Sequence, residues 1–134
     1  MASKNPHIKE LDFITLYFYE EYVISMIHEG VFFNLPHLEE VTKHFKAFYP
    51  EDKPFASIAD RKNDYTINPT CFFQSDIMSN LVCIGTVCHS QTSYDTASFE
   101  KMFYKGNFEV FMSMKRCKRW VEKRIIKHKE KAGL

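Results

Sequence analysis

Glycine is scarce in this chain, with four in 134 residues, at Gly30, Gly85, Gly106 and Gly133. A phosphate-cradling loop needs several glycines within a few residues so that backbone N–H groups can close around the anion, so neither a dinucleotide-binding loop nor a Walker loop can be built. No apolar run approaches the roughly 20 residues that a membrane-spanning helix requires. The opening MASKNPHIKELD lacks the apolar stretch of a secretory leader. Those absences set the expectation of a cytoplasmic protein with no membrane span. The four cysteines, Cys71, Cys83, Cys88 and Cys117, form no CxxC pair and no framework spacing, and a domain of this size needs no covalent staple. They read as reduced thiols, and no cofactor is expected.

Aromatic residues are abundant. Thirteen Phe and seven Tyr supply large side chains for a compact core, with some left over for a pocket or an interface. A hydrophobic share of 45% with 26% charged residues is that of an ordinary globular chain and far from a disordered one. The length suits one domain with one core, here residues 1–134 with its core at about 13–128. The net charge of +1 hides an asymmetry: residues 1–112 carry 9 Lys/Arg against 15 Asp/Glu, and residues 113–134 carry 9 against 2. The basic charge is concentrated in the last helix.

Phe13 to Tyr19 alternates and is rich in β-formers, and Tyr22 to His28 repeats that character after only Glu20 and Glu21, which predicts an antiparallel hairpin. Asn34 offers an N-cap before Pro36 and a helix with Leu38, Val41, Phe45 and Phe48 on one face, stopped by Pro50. Phe55 to Ala59 reads as a buried strand closed by the polar loop 60–64. Asn68 and Pro69 open a short second helix through about Asp76. Leu81 to Val87 is a further buried strand, and Ser93 to Tyr104 a helix ended at Lys105 and Gly106. Phe108 to Met112 is the last strand. Ser113 then caps a long helix with the apolar stripe Met114, Cys117, Trp120, Val121 and Ile125. The order β-β-α-β-α-β-α-β-α implies an α/β fold: a mixed, mostly parallel sheet of about five strands, an N-terminal β-hairpin and four helices.

That order, with its leading hairpin and the short helix after the third strand, resembles the STAS domain, the fold of bacterial anti-sigma-factor antagonists. Tyr22 to Gly30 with the Asn34-capped helix, and Phe55 to Asp60 followed by Arg61 and Tyr65, are similar to a small bacterial group of stand-alone STAS-like proteins of unknown function. In phosphorylation-switched members a serine opens the helix after the third strand, inside an Asp-Ser-Ser-Gly type sequence. Asp60 matches the acidic residue here, but the serines and the glycine are missing and the loop is longer. Thr66 and Thr70 are the hydroxyls left to replace them. The resemblance also implies partner contacts through the helices after the third and fourth strands, where Phe72 and Phe73 lie.

In open α/β sheets, ligands meet the loops at the carboxyl ends of the strands, facing helix N-termini. The residues so placed are Asp60, Arg61, Asn63, Tyr65 and Thr66, then Cys88, His89 and Ser90, and finally Ser113 with Lys115. Arg61 has the fork geometry to grip a phosphate or carboxylate; the plainer reading pairs it with Asp60 or Asp64 on a solvated loop while Asn68 and Ser113 only cap helices. Cys88 beside His89 invites a nucleophile reading, but neighbours in an extended chain point to opposite sides. Zinc on Cys83, Cys88 and His89 lacks a fourth ligand and the usual cysteine spacing. The basic face of the last helix reads as solvated charge offsetting the acidic body, so nucleic acid is not the expected partner. The leading expectation is a non-enzymatic protein-interaction module, regulatory in setting, with a second copy as one partner in a homodimer. The alternative is a binding module for a lipid or small acidic molecule in an apolar pocket near Tyr65, Phe72 and Arg61.

Overall fold

The computed structural model describes residues 5–73 and 78–133. Their main sheet has six strands in the order β1 (His7–Glu10), β2 (Ile14–Phe18), β3 (Tyr22–Ile27), β5 (Phe55–Arg61), β7 (Leu81–Cys88) and β8 (Phe108–Phe111). The first three strands are antiparallel neighbours, and β3, β5, β7 and β8 run parallel. Ala59 faces Thr86 and Asp60 faces Val87 across that parallel ladder. A parallel bridge between β4 (Phe32–Phe33) and β6 (Thr66–Ile67) forms a separate two-stranded sheet.

The expected five strands become six because His7 to Glu10 pairs with β2 while all four residues stay exposed. Such a polar edge strand has no buried face, so no hydrophobic alternation announces it, and its charges blunt the free edge. Three α-helices are described rather than four: α1 (Leu35–Phe48), α2 (Gln91–Lys101) and α3 (Met114–Ala132). The expected second helix is a 3₁₀ turn over Pro69–Phe73, and the rest of its expected span to Asp76 lies outside the described residues. Asn34 caps α1 as expected: its side chain accepts from the Leu35 N–H while the ring of His37 accepts from the Asn34 N–H. Helix α2 starts at Gln91, two residues earlier than expected, because Ser90 supplies a capping oxygen to the Ser93 N–H, and it ends at Lys101 with Met102 as cap.

Strand alternation divides the core between two faces. Ile14, Leu16, Phe18 and Val23 pack against Val41, Phe45 and Tyr49. On the same side, Cys88, Phe108 and Val110 meet Ala97 of α2. Ala56, Ile58, Cys83 and Val87 point the other way, onto Cys117, Val121 and Ile125, the one-in-four stripe of α3. Helix α3 lies close to β7, where Gly85 leaves room for it: a Cβ there would stand 2.5 Å from the Cys117 sulfur.

Candidate functional site

Strand β5 runs two residues further than expected, so Asp60 and Arg61 are its last residues and are buried. They are not on a solvated loop. Being adjacent in a strand, they also leave it on opposite faces. Arg61 turns toward α2, where its Nη1 donates to Glu100 Oε1 at 2.6 Å, both side chains being under 10% exposed. Its guanidinium also lies 4.6 Å from the centre of the Tyr65 ring, a cation–π contact. Neither Asp60 nor Asp64 pairs with it. Burial raises the Glu100 carboxyl above its ordinary value, and the attraction of Arg61 opposes that shift. Burial likewise pushes the Tyr65 hydroxyl well above its usual range, with Arg61 pulling back.

The ion pair stands at one end of a cavity of about 170 Å³ between the sheet and helices α1 and α2. Its floor is made of small residues on the central strands: Ser25, Ser57, Ala59 and Thr86. Val41, Phe45, Ile84, Phe72 and Phe108 are among the apolar groups around it. Phe72 meets Phe108 edge-on, their ring centres 5.9 Å apart. The hydroxyls of Ser57, Tyr65 and Thr86 make no hydrogen bond among the described residues, whereas every fully buried side-chain nitrogen or oxygen described there has a partner. These three hydroxyls are therefore not fully buried, and their residues line the cavity.

On the other face of the sheet, Asp60 Oδ1 lies 2.7 Å from Nε2 of His89, and the Lys62 ammonium stands 3.8 Å from Oδ2. Strand-tip residues expected to converge thus separate into two groups, Arg61 with Tyr65 and Phe72, and Asp60 with His89. Cys88 packs among Ala97, Phe108 and Val110, away from the imidazole of His89. Burial raises its thiol pKa. Cys83 faces Cys117 across the α3 side, so Cys83, Cys88 and His89 do not share a site, and no group of three potential ligands is gathered among the described residues.

The remaining candidates have local roles. Asn63 donates from Nδ2 to the Ile27 carbonyl. Thr66 belongs to β6, and its N–H donates to the Val31 carbonyl. Thr70 donates its hydroxyl to Asn68 Oδ1 in an exposed turn. Ser113 caps α3 by accepting from the Arg116 N–H.

No family model matches this chain, and no curated protein matches it in sequence. A solved structure does match in fold. It is an uncharacterized protein of the DUF3478 family with a SpoIIAA-like fold from Shewanella loihica PV-4, 12% identical, covering 90% of this chain and 98% of its own, with a TM-score of 0.55. The fold is SpoIIAA-like. At the level of fold, the STAS-like resemblance read from the sequence is borne out.

Two features of this SpoIIAA-like sheet escape a reading by sequence motif. Glu100 sits in the last turn of α2 beside the exposed Phe99 and Met102 and next to Lys101, where a lone carboxylate resembles a solvent-facing charge. Its burial follows from the position of Arg61, 39 residues away. The cavity floor did leave a signal: Ser25, Ser57, Ala59 and Thr86 are small or polar residues on the one face of β3, β5 and β7 that also carries Val23, Ile27, Phe55 and Ile84. Small residues in the central strands leave volume that the helices above do not fill.

Proposed function

We propose that this chain is a non-enzymatic binding module for a small, uncharged, mostly apolar molecule, held between the sheet and helices α1 and α2. The observation carrying this reading is the cavity itself, apolar on most sides but with three uncommitted hydroxyls, from Ser57, Tyr65 and Thr86. An apolar cavity of roughly 150 Å³ takes up benzene, so about 170 Å³ suits one ring with a polar substituent. Ligand pockets commonly combine such walls with a few convergent polar groups. The charge of the ligand follows from Arg61. Its guanidinium is already neutralised by Glu100 at 2.6 Å, and a carboxylate or phosphate would have to displace that partner or stand beside it. A neutral acceptor or donor costs neither.

Calorimetric titration with p-cresol and indole, against benzoate and octanoate, tests the reading. Binding of the neutral ring compounds, lost when the floor is filled by Ala59→Phe in a protein that remains folded, is the expected result. Tighter binding of the carboxylates, or ring binding untouched by Ala59→Phe, would refute it.

A second reading, contact with another protein or a second copy, is favoured by one patch. Phe73, Phe99 and Met102 are each more than half exposed, and Phe103 joins them through ring contacts of 5.7 and 5.1 Å. An apolar cluster of this kind on a surface marks an interaction site. It stands next to Phe72 and Tyr104 in sequence, both of which line the cavity. Light scattering on the wild type and Phe99→Asp distinguishes a homodimer from a monomer with a free patch.

A further inference from the structure

We propose that His89 is a phosphoryl-accepting residue, with Nδ1 as the nucleophilic atom and Asp60 as the positioning group that fixes the ring for attack. This site lies on the sheet face opposite the cavity and does not depend on what the cavity holds.

An ionised carboxylate only accepts hydrogen bonds, so the short contact to Asp60 Oδ1 at 2.7 Å places the ring proton on Nε2. The lone pair is then on Nδ1, which has no partner among the described residues. The aspartate is buried and therefore held in one orientation, while the histidine side chain is 47% exposed and open to a donor. No other described histidine combines these conditions. His28 uses both nitrogens, toward the Asp12 carbonyl and the Thr15 hydroxyl. His37 gives Nδ1 to the Asn34 N–H. His7, His44 and His128 pair with no carboxylate among the described residues.

The surroundings suit the group that would be added. His89 is followed by Ser90, the N-cap of the 11-residue helix α2. Ser90 takes the N–H groups of Ser93 and Tyr94, and those of Gln91 and Thr92 have no partner among the described residues. Lys62, whose side chain is 62% exposed, supplies a cation on the same side, 3.8 Å from Asp60 Oδ2.

The step needs a donor with a good leaving group, of the acyl phosphate or phosphoramidate class. The Nδ1 lone pair attacks phosphorus and an N–P bond forms. The P–O bond to the acyl group breaks, and its electron pair leaves with the carboxylate. With phosphoramidate, whose nitrogen already carries the proton near neutral pH, the P–N bond breaks instead and its electron pair leaves with neutral ammonia. The ring becomes a cation that keeps its proton on Nε2, facing Asp60, whose charge balances it. Attack of water on phosphorus reverses the modification.

The test is incubation of the folded protein with phosphoramidate near neutral pH, followed by intact mass, peptide mapping under alkaline conditions and phosphorus NMR. Expected is a single phosphoryl group at His89, predominantly as the Nδ1 isomer, ahead of His44 and His128. His89→Gln should abolish it, and Asp60→Asn should slow it about tenfold and shift the product toward the Nε2 isomer. Label spread evenly over the histidines, label on Nε2 in the wild type, or no label at His89 would each overturn the proposal. Should Asp60→Asn fail to fold, the isomer and the site of labelling in the wild-type protein decide the matter.

Discussion

Removing either partner of the Arg61–Glu100 pair should destabilise the fold, but by unequal amounts. The two side chains are 6% and 8% exposed and 2.6 Å apart, so the pair is desolvated and solvent screening is weak. Glu100→Ala leaves a guanidinium that cannot shed its charge at any accessible pH. The expected cost is about 3–5 kcal/mol, the range for stranding one member of a buried pair. Arg61→Met leaves a carboxyl that can neutralise itself by keeping its proton, and the cost should fall to about 1–3 kcal/mol. The pH dependence gives an independent check. Burial already raises Glu100 above its ordinary 4.5, with Arg61 opposing, so loss of Arg61 raises it further. A carboxyl whose folded pKa exceeds its unfolded one contributes stability fully below 4.5 and loses it as pH rises through the folded value. Urea unfolding of Arg61→Met between about pH 5 and 8 should therefore show stability declining with pH more steeply than in the wild type. Equal costs for the two variants, or a cost below about 1 kcal/mol for Glu100→Ala as in an exposed pair, would refute the reasoning.

Gly85→Ala would place a methyl 2.5 Å from the Cys117 sulfur and should cost about 1–3 kcal/mol by overpacking; adding Cys117→Ala should recover most of it, as read by chemical denaturation of both variants. Asn34→Ala removes the cap of α1 and the bond from the Asn68 amide, and a loss of about 1–2 kcal/mol is expected in the same assay. In a thiol-labelling time course on the native protein, Cys71, the half-buried cysteine, should react first. Cys83 and Cys117 are buried with thiols pushed up to about 12, and Cys88 is buried and likewise raised, so rapid labelling at Cys88 would contradict this placement.

The parts of the fold legible in the sequence are those where burial imposes a period. The hairpin, the parallel strands β5, β7 and β8 and the capped helices α1 and α3 all carry apolar residues at a spacing that admits one reading. Strand β1 offers a single apolar residue, the exposed Ile8, because an exposed edge imposes no such pattern. At the site, residue chemistry was legible and direction was not. Asp60, Arg61, Tyr65, Phe72 and His89 stand out as strand-tip residues, but a polar pair after an apolar run looks like the start of a loop. The two extra residues of strand follow from pairing with β7, where Arg61 meets Cys88. Glu100 was hidden for the same reason: its environment is set by a long-range partner that no local window contains.

The alternation that concealed the site also organises it. Asp60 and Arg61 are consecutive, as are Cys88 and His89, and each pair sends one residue to the α1 and α2 side and the other to the α3 side. The uncommitted hydroxyls near Arg61 and the free imidazole nitrogen of His89 are therefore separated by the sheet itself. Close packing in the central strands resists the one-residue slip that would exchange them, since such a slip turns every buried side chain outward. Two chemistries on adjacent residues can then be altered independently. His89→Gln should leave p-cresol binding unchanged in calorimetry, and Ala59→Phe should leave phosphoramidate labelling at His89 unchanged. Loss of both properties from either substitution would mean that the strand tips act as one site, and the separation by faces would fail with it.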